Sequence, residues 1–178
     1  VDFYPWSRAV KLASMPNSDY LGYFPEYYFE TEKFVFSKSI GDGPLGLVEQ
    51  KAHPVSWNYV EDLNRYTLGV VKDYVNTQAL DRMITTGVQP TEAVTSDEHN
   101  IKKVAAGRID AAVIDVNVLH YLLKQKPLQP LAEKLQINRQ ILANKQLYIA
   151  FRNTDEGRRW RDIFDQGLAQ IDVETIIG

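Results

Sequence analysis

The 178-residue chain contains no cysteine. Its absence removes disulfides, zinc ribbons and thiol nucleophiles together. It fits the cytosol, and equally an oxidising compartment whose proteins fold without disulfides. Long apolar runs are missing too: the longest is five residues, 147–151, against the ~18 that a membrane span needs. Excess positive charge is also lacking. Twenty basic residues against 23 acidic ones leave a formal charge of −3, which argues against a nucleic-acid partner. Histidine is scarce, and His53, His99 and His120 lie too far apart for metal-ligand spacing. They read as surface or core residues. No GxSxG, HExxH or phosphate-cradling glycine loop occurs. No basic, apolar leader precedes Val1, so the expectation is either a removed signal or a start inside a longer protein.

What is present is a globular composition, 44% apolar and 24% charged, enough for one sizeable domain or two small lobes. Residues 6–14 show a helical face through Trp6, Ala9, Val10 and Ala13. Residues 20–28 carry five aromatics with Gly22 and Pro25, and read as strand and loop. A strand at 33–37 is followed by a loop with Gly41, Gly43 and Pro44, then a short strand at 45–48. From 67 onward strands and helices alternate. Strands are expected at 67–71, 92–95, 109–114 and 147–151. Helices are expected at 77–85, after Ser96 or Asp97, and after Asp115, with Gly107 as a C-terminal stop. A last helix capped by Thr154 has Trp160, Ile163, Phe164, Leu168 and Ile171 on one face. This alternation predicts an α/β fold with a largely parallel sheet, in which ligands bind beyond the carboxyl ends of the strands.

Two segments sit at such ends. In Lys72-Asp73-Tyr74-Val75-Asn76-Thr77, free N–H groups with the Asn76 and Thr77 side chains can hold a carboxylate. Plain helix capping by Asn76 is the other reading, and pattern alone favours it. Asp115 can meet a ligand ammonium or simply cap the following helix. The aromatic group around Trp6, Tyr23 and Phe24 is core in large part, with Tyr and Trp also serving as walls of an amphipathic ligand site. Residues 30–33 read as a solvated charged stretch.

Several stretches in order resemble the family 3 solute-binding proteins of bacterial ABC importers, the polar amino-acid binding type. Phe3-Tyr4-Pro5-Trp6-Ser7-Arg8-Ala9 is similar to a "PWxRA" segment, and Phe36-Ser37-Lys38-Ser39-Ile40 to "FSxPI" with Ser39 in place of the proline. Leu68-Gly69-Val70-Val71-Lys72-Asp73-Tyr74 resembles "IGVxxGY". Gly107-Arg108-Ile109-Asp110-Ala111-Ala112-Val113-Ile114-Asp115 resembles "GRxDAxxxD", the most specific of these. Residues 147–151 and 164–168 are similar to the return strand and final helix.

The resemblance implies a two-lobed type II periplasmic-binding fold. Lobe 1 would be residues 1–46 plus 149–178, lobe 2 residues 52–144, with crossing strands near 46–51 and 145–149. Lobe 1 would be incomplete at its N-terminus, lacking a strand and helix, and this leaves an open sheet edge through which a homodimer could form. The function implied is a periplasmic receptor that binds a small polar solute, an amino acid or related amine, and hands it to ABC permease membrane subunits. No cofactor, metal or enzymatic activity is implied. A ligand-sensing input domain of a membrane receptor is the alternative, and a dehydratase-like enzyme on the same fold a third. Among ligand residues, Asp115 would hold an ammonium, and Tyr74, Asn76 and Thr77 lie at the lobe-2 helix start that receives a carboxylate. Trp6, Tyr23 and Phe24 would be walls. Where the family has a carboxylate-clamping arginine, this chain has Glu30. A glutamate there repels an acidic ligand and favours a cation, unless it points to solvent beside Lys33.

Overall fold

A computed structural model describes residues 1–171. The stretch 172–178, within the expected lobe 1, lies outside the described residues. The chain divides into two compact units. Unit 1 is Val1–Gly43 together with the chain from Lys145 onward; unit 2 is Pro44–Asn144.

Unit 1 begins with helix α1, Trp6–Ser14. Pro5 precedes it, where a residue without an N–H costs the helix nothing. Strands β1, Gly22–Tyr27, and β2, Phe34–Phe36, both pair antiparallel with the strand 143–152 described below. The core is aromatic: Tyr23 and Phe34 are buried with Ala13 and Ala150, and Trp6, Val10, Phe29 and Phe36 pack around them. Tyr23 meets Trp6 and Phe34 edge-on, with centroids 5.5 and 5.1 Å apart, the geometry that ring quadrupoles favour.

The chain passes into unit 2 within β3, Gly41–Gln50. The loop expected around Gly41, Gly43 and Pro44 is therefore strand. Local turn chemistry is overridden because the following residues from Leu45 onward are tied in a ladder to β6. Unit 2 then alternates. Strand β4, Leu68–Val71, leads to α2, Gln78–Thr85; β5, Thr91–Val94, to α3, Asp97–Ala105; and β6, Ala111–Asp115, to α4, Val116–Leu123. β4 pairs parallel with both β5 and β6, while β3 runs antiparallel to β6 and to the short β7, Leu135–Ile137. All four residues of β4 are buried, as a strand covered on both faces requires. The core here is aliphatic, with Ile101, Val104, Leu119 and Leu128 almost fully enclosed. Gly69 lets α3 approach β4 closely: a methyl at that position would overlap the Asn100 amide. Gly107 adopts φ 67° just past α3, the left-handed stop that glycine accepts without strain.

The chain returns to unit 1 along β8, Ala143–Arg152, and ends its described part with α5, Asp155–Leu168. Thr154 caps α5 by accepting from the Gly157 N–H. The expected inward face of this helix is corrected by the structure. Phe164 and Leu168 are half-buried, but Trp160 is 46% and Ile163 43% exposed, and Ile171, past the end of the helix, is exposed too. Gly157 is the residue pressed against the chain, at the Arg152 carbonyl, and that contact sets which side of the helix turns inward.

Candidate functional site

Three side chains converge at the carboxyl ends of the parallel strands of unit 2. β4 runs out at Val71, and the turn that follows holds Asp73 at φ 64° before Tyr74. β5 runs out at Val94, and Asp97 opens α3. β6 ends in Asp115 itself. β4 lies between its two parallel neighbours, so the three loops leave the same edge of the sheet. Helices begin there too, and their N–H groups and dipoles favour negative charge.

Asp115 caps α4, its Oδ1 accepting from the N–H groups of Asn117 at 2.8 Å and Val118 at 3.1 Å. Its carboxylate remains half-exposed. The Tyr74 hydroxyl donates to Asp97 Oδ2 at 3.2 Å. The other oxygen of that carboxyl, Asp97 Oδ1, is buried without a hydrogen-bond partner. Burial pushes the Asp97 carboxyl up to about 6, and the negative charge of Asp115 pushes the same way; the Tyr74 hydroxyl and the helix backbone pull it back only in part. The Asp97 carboxyl therefore lies in the field of a second acid, Asp115, at one end of the sheet.

Asn76 and Thr77 serve the start of α2. The Thr77 hydroxyl accepts from the Leu80 N–H at 3.2 Å, so Thr77 is the cap and not Asn76. Buried Asn76 instead binds Asp81, through its N–H at 3.1 Å and its amide nitrogen at 2.7 Å. In unit 1, Tyr23 is enclosed in the aromatic core and Trp6 is half-buried against it. Phe24 is largely exposed, and Glu30 is exposed in the loop between β1 and β2. That loop is held by Asn153, which donates to the Glu32 carbonyl at 2.9 Å.

The structure thus brings Tyr74 and Asp115 together through Asp97, a residue the sequence pattern offers only as a helix cap. The available signal was its place. Asp97 lies just beyond β5 and Asp115 is the last residue of β6, and both strands flank β4. Among the described residues no group of three or more His, Asp or Glu side chains is arranged to hold a metal ion, and no helix is long and apolar enough to cross a membrane.

No protein-family model and no curated protein matches the sequence. Solved structures do match. An ancestral arginine-binding protein bound to arginine aligns with a TM-score of 0.65 at 18% identity, covering 82% of this chain and 62% of its own. A histidine kinase sensor domain similar to periplasmic binding proteins aligns at 0.74 and 18%, covering 93% of this chain and 68% of its own. A ligand-binding core from Nostoc punctiforme in complex with L-glutamate aligns at 0.64 and 18%, covering 84% and 65%. The chain spans about three-fifths to two-thirds of the length of these neighbours, which are binding and sensing proteins rather than enzymes. The parallel ladder of β4 with β5 and β6, the two compact units and these alignments identify the fold of the chain as that of the type II periplasmic binding proteins.

Proposed function

We propose that the chain binds a small polar solute and that the Tyr74–Asp97–Asp115 edge of unit 2 grips a positively charged group of it. The observation that carries this reading is the pairing of two acids, one with a buried oxygen lacking a partner, at the carboxyl ends of parallel strands. Two neighbouring carboxylates resist joint ionisation unless a cation is supplied. An ammonium or guanidinium supplies it, and Tyr74 offers an aromatic face beside the charge. Glu30, in its exposed loop, is not needed for this acidity. Trp6, Tyr23, Phe24, Asn76 and Thr77 remain proposed ligand residues of the family pattern.

The role we assign is that of an extracytoplasmic receptor for import, handing its solute to ABC permease subunits in a bacterial envelope, without catalysis. The kinase sensor domain, which covers 93% of this chain at a TM-score of 0.74, favours a second reading as the sensing domain of a membrane receptor. Uptake of labelled solute in cells lacking the gene separates the two: an importer's receptor abolishes uptake, and a sensor leaves it intact. A homodimer through unit 1 belongs to either reading and is checked by sedimentation at rising concentration.

Binding itself is tested by calorimetry with arginine, lysine, putrescine, glutamine and glutamate. The cations are expected to bind and glutamate to give no heat. Asp115→Asn keeps the α4 cap and removes the charge, so affinity for arginine should fall by about 1.5–3 kcal/mol, the range for charged hydrogen bonds. Tight glutamate binding with silent cations would sink the acidic-site reading.

A further inference from the structure

Glu26 is a buried titratable group that solute binding does not use. It lies in β1, where the register against β8 shifts between Tyr23 and Glu26. Its side chain is enclosed, with the residue 5% exposed. Oε2 accepts from the Tyr23 hydroxyl at 3.0 Å and Oε1 from the Tyr27 N–H at 2.8 Å. Two donors leave part of a carboxylate's accepting capacity unused, and beyond the Tyr23 hydroxyl the ring itself is wrapped by Trp6 and Phe34. The elements around it supply little charge. On α1, Arg8 and Lys11 are exposed; on the following loop, so are Glu30, Glu32 and Lys33. β8 contributes Tyr148, opposite Glu26 in register, and Arg152, which donates to the carbonyls of Met15 and Pro16. Among the described residues, Lys145, at the start of β8, is the cation whose field lowers the carboxylate's proton affinity, and it also stands over the Tyr27 ring at 4.5 Å.

We infer that Glu26 is a proton-controlled catch on the edge of unit 1: carrying its proton it holds β1 against β8 at the register shift, and losing it loosens the two strands. Burial raises this carboxyl from 4.5 to about 7, against the smaller opposing pull of Tyr27, Tyr23 and Lys145. The sign follows from linkage. Below pH 4.5 both closed and open forms carry the proton. Between 4.5 and 7 only the closed form keeps it, so each rise in pH favours opening. Above 7 the closed form must hold a buried carboxylate and the full contribution is lost. The inference does not depend on the solute, since it concerns the ligand-free chain.

Hydrogen exchange read by mass spectrometry, expressed as protection factors for the β1 peptide at pH 6 and pH 8.5, tests this. Protection should fall about tenfold between the two pH values in the unaltered chain, the change that a shift from 4.5 to about 7 produces by linkage. Glu26→Gln, which mimics the protonated acid, should hold the pH 6 protection at both. Tyr23→Phe removes a donor to the ionised form and should move the transition to higher pH. Equal protection at both pH values in the unaltered chain, or the same fall in Glu26→Gln, overturns the inference. The carboxyl carbon-13 shift of Glu26 in the unaltered chain gives a reading that needs no variant: a midpoint near 7 supports it, and one near 4.5 overturns it.

Discussion

Glu26 in unit 1 and Glu49 in unit 2 are both almost wholly enclosed, at 5% and 1% exposure, yet their surroundings differ in kind. Glu49 lies in β3 and receives three donors: the Val55 N–H at 2.8 Å, the Gln136 amide at 2.8 Å and the Asn138 amide at 2.7 Å. Asn138 in turn accepts from the Trp57 indole at 3.1 Å. That network ties the segment after β3 to β7 and works as a joint. Glu26 has a tyrosine hydroxyl, one backbone N–H and aromatic rings. The difference arises from composition. The chain around 136–140 is rich in amides, whereas the chain around 20–29 is rich in aromatic carbon. A buried acid is structural where neighbours supply enough donors, and proton-dependent where they supply few.

The largest effect expected from this contrast is at Glu49. Glu49→Leu leaves two buried donors, the Val55 N–H and one hydrogen of the Asn138 amide, and the part-buried Gln136 amide without their acceptor, and should cost about 3 kcal/mol, since each buried orphan carries its own desolvation penalty. Glu26→Gln should act in the opposite direction, stabilising the chain at pH 8.5 by removing a buried charge. Urea denaturation of both variants at that pH checks the pair. Equal losses at the two positions would erase the distinction drawn between the units.

A smaller effect belongs to the packing that positions the site. Gly69→Ala puts a methyl where the Asn100 amide and Ile109 already sit. Overpacking of this kind costs about 1–3 kcal/mol. It should also displace the first turn of α3, and with it Asp97, so arginine affinity should fall alongside stability. Loss of stability with unchanged arginine affinity would show that the Asp97 edge is independent of how α3 seats on β4.

Much of this architecture was legible in the chain because its signals are local. Asp115 and Thr154 cap the helices they precede, and Gly107 takes the positive φ that ends α3. These follow from unsatisfied N–H groups and steric limits within a few residues. What stayed hidden depends on distant partners. β7 lies after a proline- and glutamine-rich stretch and is a strand only because β3 pairs with it. Glu26 and Glu30 sit four residues apart in one aromatic stretch, and nothing in that stretch says which is enclosed and which faces water. The site shows the same division. Asp115 could be named from its motif, but its coupling to Asp97 requires the loops after β4, β5 and β6 to meet, and the Tyr74–Asp97 bond spans 23 residues.

The smallest effect concerns the last helix, where periodicity misleads. Trp160, Ile163, Phe164 and Leu168 fall on one broad apolar side of α5, and the sequence reads all four as inward. Two constraints narrow that side. The Thr154 cap fixes where the helix starts, and Gly157 must lie against the Arg152 carbonyl, where a methyl would overlap it. With Gly157 inward, Phe164 and Leu168 follow it two and three turns on, and Phe164 reaches Phe151 with centroids 6.2 Å apart. Asp165 on the same side accepts from the Lys38 N–H at 2.8 Å. Trp160 is carried outward to 46% exposure. Trp160→Ser should therefore change stability by no more than about 0.5 kcal/mol, the usual scale of surface substitutions, while Phe164→Ala costs distinctly more because it empties space against β8. Thermal denaturation of the two variants side by side decides it. A loss at Trp160 as large as that at Phe164 would restore the broader face and place the tryptophan in a contact that the helix, as described, does not make.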